Sequence, residues 1–337
     1  MTALWDTTGS EVVRELTAAR RRDGMTSGLA LTLIAVVGER PGSRSTPVKE
    51  VEDAATVSAA MHPCRLLVVT RPAGGHDHTP DRLDAEIVVG GRLGPCEAVI
   101  MRMQGRLALH ADSVVIPLIA ADVPVVTWWH GVPPEQISAD PLGVVAGRRI
   151  TDVAQAPDPV AALRQRALDY AAGDTDLAWT RITGWRALLA GALDAAGNGA
   201  WPPRAITIEA PPEDVSALLL AGWLQARLGT QPVLRQETGA SALAAVAVTL
   251  ADGAQIEITR HGNTAVLRHT GHEERRLPLL TRSLGDLLAE ELRRLDPDEL
   301  YAAALSAATG VAGLEHRPAA RVRTWREGPG SRQEVTA

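Results

Sequence analysis

The run Gly28–Val37, GLALTLIAVV, is almost wholly apolar and rich in β-branched side chains. That is the composition of a strand buried on both faces. A Pro-, Gly- and Ser-rich loop follows (Pro41–Pro47). Val48–Met61 then reads as a helix and Arg65–Thr70, RLLVVT, as the next buried strand. Strand, helix, strand form a βαβ unit, so the strands should be parallel and the crossover right-handed. Upstream, Ser10 can cap a helix through Val12, Val13 and Leu16 to Arg20–Arg22, where cations suit the dipole. Downstream, Asp81–Val89 and Glu97–Met103 flank GGRLGP, a hairpin signal. Leu107–Ile119 reads as a helix bent late by Pro117, and Pro124–Trp129 as a short buried strand.

The second half turns on Gly173–Ala190, GDTDLAWTRITGWRALLA. Asp174, Thr175 and Asp176 are helix-opening residues. Ala178, Ile182, Trp185, Leu189 and Leu193 then share one stripe, with Leu177, Leu188 and Trp179 beside it. At about 100° per residue the apolar arc is roughly 200°, wider than a one-sided surface helix needs. Arg181 and Arg186 fall in or beside that arc, and a covered arginine needs a carboxylate or an aromatic face. Two readings stay open: a core helix with two satisfied arginines, or a helix that joins two domains and shapes a partner surface. Asp158–Tyr170 is a further helix, and Gly197–Pro203, GNGAWPP, is a linker.

After the linker a strand (Arg204–Glu209), a helix (Glu213–Leu228) and a strand (Val233–Glu237) lead into a meander, Ala242–Leu250, Gln255–Arg260 and Thr264–His269. Its turns are Asp252-Gly253 and Gly262-Asn263. Gln255, Glu257 and Thr259 alternate with Ile256 and Ile258, which makes one face of that sheet wet. Helices at Leu284–Leu295 and Asp298–Ala308 follow, and from Gly310 the composition reads as disordered. The expected fold is α/β: two α/β domains with mixed sheets joined by helices. The divisions fall at residues 1–155, 156–199 (linking helices) and 200–309, with a disordered tail at 310–337.

The chain has 337 residues, a formal net charge of −6 and a pI near 5.9, against a nucleic-acid binder. Lys49 is the only lysine and has no glycine-rich loop before it, so P-loop chemistry is not expected. The segment MTALWDTTGSEVV lacks the features of a secretory signal, and Pro117, Asp122 and Pro124 interrupt the longest apolar stretch. The expectation is a cytoplasmic protein with no membrane partner. Cys64 and Cys96 make no disulfide framework. His76-Asp77-His78 has no further ligand at metal-like spacing nearby and reads as a polar loop. No G-x-G-x-x-G follows the first strand of either half, and G-x-S-x-G, H-E-x-x-H and C-x-x-C do not occur. No catalytic, cofactor or metal residues are therefore expected.

Ligands of open α/β sheets sit outside the carboxyl ends of the strands. Trp128, Trp129 and His130 lie at such an end, with Arg148 and Arg149 close behind in DPLGVVAGRRITD (Asp140–Asp152). Trp and Arg dominate interface hot spots, while core packing is the competing role for the tryptophans. Side chains alternate along a strand, so one of the two tryptophans should face the core and the other a crevice.

Three long segments, His110–Trp129, Asp140–Asp152 and Gly173–Leu189, resemble the OpcA family, the glucose-6-phosphate dehydrogenase assembly proteins of actinobacteria and cyanobacteria. The stretch Asp298–Leu305 also fits, and the resemblance covers roughly residues 5–308 in order. It implies a non-catalytic assembly factor and allosteric activator of glucose-6-phosphate dehydrogenase in the oxidative pentose phosphate pathway, without cofactor. Expected partner-binding residues are Trp128, Trp129, Arg148, Arg149, Trp179, Arg181, Trp185 and Arg186. The rival readings are a sugar-phosphate-binding protein or enzyme using the Trp128–Arg149 crevice, and a purely structural scaffold.

Overall fold

The computed structural model describes residues 1–22, 28–39, 46–72, 79–90, 96–196, 201–319, 323–328 and 331–336. His76–His78, residues 91–95 of GGRLGP and residues 197–200 of the linker lie outside them. The first half runs β1 (Thr2–Leu4), α1 (Gly9–Arg22), β2 (Leu31–Glu39), α2 (Thr46–Ala59), β3 (Cys64–Pro72), β4 (Arg82–Val89), β5 (Glu97–Gln104), α3 (Arg106–Leu109), α4 (Ala111–Val115), β6 (Val125–His130), α5 (Pro141–Val144) and β7 (Arg148–Thr151). Then come α6 (Pro159–Asp169), β8 (Asp174–Asp176), α7 (Leu177–Arg181) and α8 (Thr183–Ala196). The remainder is β9 (Ala205–Ala210), α9 (Val215–Leu228), β10 (Val233–Gln236), β11 (Ala245–Thr249), β12 (Gln255–His261), β13 (Thr264–His269), β14 (Arg275–Pro278), α10 (Leu284–Arg293), α11 (Glu299–Thr309), β15 (Arg323–Gly328) and β16 (Ser331–Thr336).

The α/β expectation holds. β2 and β3 pair in parallel, with Leu33 opposite Leu66 and Val36 opposite Val69. The first sheet has the order β1-β4-β5-β3-β2-β6-β7-β8, and β5 through β8 in that order are parallel. Counting only the parallel strands in chain order gives 3-2-1-4-5-6, the doubly wound arrangement with its switch point between β2 and β6. β4 pairs antiparallel with β5, as the hairpin signal requires. The second sheet, β10-β9-β11-β12-β13-β14, is antiparallel except for its β10–β9 edge.

Three apolar layers hold these sheets. One face of the first sheet packs Ile34, Val36, Leu67 and Val69 against α1 and α4. The other packs Leu33, Ala35, Leu66 and Val68 against α2 and, from far along the chain, Leu287, Leu288 and Leu292 of α10. The third layer lies under the second sheet, where Ile206, Ile208, Ile256 and Ile258 meet α8, α9 and α11. Gly285 permits the close approach of α10 to α2: a Cβ there would lie 2.6 Å from Val57 Cβ and 3.1 Å from the Ala54 carbonyl oxygen. The first sheet is thus completed by β8 and roofed by α10, both beyond residue 155.

Two readings are corrected. Gly173–Ala190 is not one helix. Asp174–Asp176 form the edge strand β8, parallel to β7, and Asp176 rather than Asp174 caps α7 by accepting from the Ala178 N–H at 2.9 Å. The helix then breaks at Ile182, whose φ of −93° and ψ of 7° leave α8 to start afresh. The stretch after Gly310 is also structured where it is described. Leu314 is fully buried, and the Arg317 guanidinium donates to the Ala167, Leu168 and Tyr170 carbonyls at 3.1, 2.9 and 3.1 Å, closing the end of α6. β15 and β16 pair as an antiparallel ribbon.

Candidate functional site at the junction of the two sheets

Alternation along β6 places Trp128 in the α2/α10 layer and Trp129 in the α1/α4 layer, but both layers are covered. Trp128, Trp129, Arg148 and Arg149 are 0, 2, 3 and 1 % exposed, so the expected crevice flanked by these four is not present. α10, far along the chain, covers the Trp128 and Arg148 side, whereas Trp129 lies under the α1/α4 layer and Arg149 is closed in by Asp174. Trp129 does line a cavity of about 450 Å³ at the carboxyl ends of β2 and β3, together with Arg71 and Asp140, which pair at 2.7 Å. Arg148 and Arg149 do not line it.

The two β7 arginines serve opposite sides. Arg149 pairs with Asp174 and donates to the Ala146 and Ala172 carbonyls, both at 2.9 Å, which fastens β8 to the sheet. Arg148 donates to Glu291 at 2.5 Å and to the Asp296 carbonyl at 2.8 Å, which fastens α10. Thr180 of α7 donates to the same Glu291 carboxylate at 2.6 Å. Each of the covered arginines anticipated on the central stretch has its partner. Arg181 grips Asp152 through two bonds of 2.6 Å, and Arg186 stacks 3.6 Å from the Trp179 ring centroid. Trp179 donates its indole N–H to Asp298 at 2.8 Å. Asp176, completely buried, accepts from Thr151, Val153 and Ala178 at 2.6, 3.0 and 2.9 Å. Burial, with the Asp152 carboxylate adding to it, pushes its pKa up to about 6.

The junction opens to solvent on two sides. A groove of about 720 Å³ brings together Arg148, Trp179 and Arg186 with Arg293, Arg294 and Leu300, the last three exposed. A second cavity, about 360 Å³, is lined by Arg181 and Trp185 and by three groups no motif had marked: Arg260, Arg282 and the Pro211–Ser216 turn. Arg260 was nevertheless legible, because it continues the inward register of Ile256 and Ile258 on β12. Of the eight expected residues, the structure therefore gathers three at the groove and two at the cavity. Trp185 stays 1 % exposed in the core even where its ring borders the cavity.

Elsewhere, Cys64 and Cys96 are both buried with their sulfurs 4.0 Å apart. Among the described residues no group of three or more His, Cys, Asp or Glu side chains is placed to hold a metal ion. No helix among them is long and apolar enough to cross a membrane.

Two family models match the chain, and both describe a glucose-6-phosphate dehydrogenase subunit: its N-terminal domain matches residues 55–168, and its C-terminal domain matches residues 172–305. A curated relative in Synechococcus elongatus, named a putative OxPP cycle protein OpcA, is 28 % identical over 187 residues. That match takes in 52 % of this chain and 42 % of the relative, so less than half of the relative's length is represented. A crystal structure of a probable dehydrogenase from Thermotoga maritima aligns over 86 % of this chain and 90 % of its own, at 11 % identity and a TM-score of 0.26, too low to bear on the fold. With two consecutive family domains matched in one chain, in order and three residues apart, this protein belongs to the OpcA family.

Proposed function

We propose that this chain is a non-catalytic partner of glucose-6-phosphate dehydrogenase that promotes its assembly and raises its activity. One observation carries the reading: both domains of the glucose-6-phosphate dehydrogenase assembly family are matched in a single chain. The fold supports it physically. The two matched segments are interlocked, since β8 and α10, both from the second, complete the sheet of the first. A partner that engages either segment therefore meets one body. An activator shifts an assembly equilibrium only by its difference in affinity for the active and inactive forms, and a preorganised surface loses less entropy on docking.

The docking face assigned here is the groove where Arg186 lies on Trp179, rimmed by Arg293, Arg294 and Leu300. Of the three residues expected from sequence, only the half-buried Arg186 presents surface there, since Trp179 and Arg148 are 1 and 3 % exposed, and Asp296 and Glu299 stand on the exposed rim beside the arginines. The reaction takes place where the dehydrogenase does, in the cytoplasm, and the chain itself turns over no substrate. The test is purification of the cell's own dehydrogenase with and without this chain. Co-elution and raised activity are expected, and Arg293→Glu with Arg294→Glu should abolish both at an unchanged melting temperature. Full activation by that double variant moves the docking face elsewhere, and no effect of the parent chain on the dehydrogenase ends the proposal.

A further inference from the structure

We infer that the cavity between α8, α9 and β12 is a binding site for a small hydroxylated phosphate monoester. Its wall is apolar where Ile182, Trp185, Leu243 and Leu287 meet, and its polar side is built from guanidinium groups. Arg181 is fully engaged by Asp152. Arg282 spends Nη1 on Glu290 at 2.5 Å, while its Nη2 is buried without an acceptor. Among the described residues Arg260 makes no ion pair, and its Nε is likewise buried without an acceptor. Its guanidinium carbon stands 5.8 Å from the Trp185 ring centroid.

An arginine has only donors and keeps its charge, so neither orphaned group can be relieved by losing a proton. Both guanidiniums border the cavity, and Arg260 has no carboxylate partner among the described residues, so the complementary ligand is an acceptor with several oxygens and negative charge, such as a phosphate. The amino terminus of α9 is not the seat, because the Asp214 carboxylate already accepts from the Ser216 and Ala217 N–H groups at 2.8 and 3.1 Å. Asp214 and Glu213 instead line the cavity as acceptors, which suits hydroxyl groups on the ligand and disfavours a bare polyanion. The walls come from both sides of the junction. Ala154 and Pro159 follow β7 of the first sheet, Leu287 belongs to the helix that roofs it and Arg282 to the loop before that helix, and Arg260 lies on β12 of the second sheet. Occupancy would therefore tie the two sheets together.

The site is tested on the full chain alone, so its failure and that of the dehydrogenase partnership are separate. Titration calorimetry and tryptophan fluorescence are run with glucose 6-phosphate, glycerol 3-phosphate, inorganic phosphate, gluconate and glucose. One molecule of phosphate monoester is expected to bind per chain, to raise the melting temperature, and to bind about tenfold or more weakly to Arg260→Gln and to Arg282→Gln. Arg268→Gln, a change on the neighbouring strand in an exposed side chain already paired with Glu257 and Glu274, should bind like the parent. Arg282 lies in the loop before α10 rather than in a sheet, so its variant decides the matter if Arg260→Gln does not fold. No binding of either monoester at millimolar concentration overturns the inference. So does binding unchanged in both variants, or binding of gluconate without the phosphates.

Discussion

At the scale of single residues, the junction holds charges in places where charge is costly. Asp176 is the clearest case. Its pKa of about 6 is raised by burial first and by Asp152 second. The folded chain therefore holds this proton more tightly than the unfolded chain does. Between about pH 4 and pH 6 folding takes up a proton at this position, and its contribution to stability falls as pH rises through that window. Across a window of roughly two pH units that amounts to about 3 kcal/mol. Asp176→Asn cannot ionise, and its single amide oxygen replaces only one of the two carboxylate oxygens that accept from the Val153 and Ala178 N–H groups, which adds a cost independent of pH. Urea unfolding at a series of pH values should show the variant gaining on the parent from pH 4 to pH 6.5, then running parallel. A difference independent of pH means that Asp176 is not the titrating group. Arg148 and Glu291 behave differently, because each completes the other. Glu291→Gln leaves a buried guanidinium without its counter-charge and should cost about 3–5 kcal/mol, read as a lower denaturation midpoint. Trp128→Ala and Trp129→Ala, each emptying a covered layer, should each cost about 3–5 kcal/mol as well. Their loss of dehydrogenase activation would then track loss of folding.

At the scale of elements, what was legible follows from how each element hides its apolar side. β2 and β3 are buried on both faces and read as unbroken apolar runs, and β12 alternates because one face is wet. β8 could not be found that way. Its three residues, Asp174, Thr175 and Asp176, are polar, and the two carboxylates sit in a buried strand because Arg149, Thr151 and backbone N–H groups satisfy them. The same side chains look like a helix opening to any rule based on local preference. α10 was found as a helix, but amphipathicity does not say which sheet receives the apolar face. Alternation sends Trp128 and Trp129 to opposite faces of β6, but both faces are covered, so the one expected to meet a crevice meets none. The α10–α2 contact can be probed directly. Gly285→Ala places a methyl 2.6 Å from Val57 Cβ and 3.1 Å from a backbone carbonyl, so the helices must part. Overpacking of this kind costs about 1–3 kcal/mol. A melting temperature equal to the parent's would show that α10 can slide on α2 without penalty.

At the scale of the whole molecule, the two family domains share one sheet and its apolar cover, and they are expected not to fold independently. The boundary between them falls at residues 168–172, yet the first sheet needs β8 for its edge and α10 for its roof. A fragment ending near residue 170 would leave Arg149 without Asp174 and Arg148 without Glu291, two buried guanidiniums stripped of their counter-charges. It would also bare the apolar face of Leu33, Leu66 and Val68 that Leu287, Leu288 and Leu292 cover. Each uncovered side chain of that size forfeits about 1.5–3 kcal/mol, and a domain has only about 5–15 kcal/mol to lose. The complementary fragment, 171–337, keeps its second sheet and the α8, α9 and α11 layer but exposes the apolar stripe of α10. The expected outcome is that residues 1–170 made alone bind a hydrophobic dye and unfold without cooperativity, whereas the two fragments made together associate and recover a cooperative transition. Heat-capacity scans and near-ultraviolet circular dichroism on the three preparations measure it. A sharp transition in the lone first fragment, at a temperature close to that of the intact chain, would mean that the interlock through β8 and α10 does not hold the two halves as one body. The dehydrogenase would then have two separable partners to recognise.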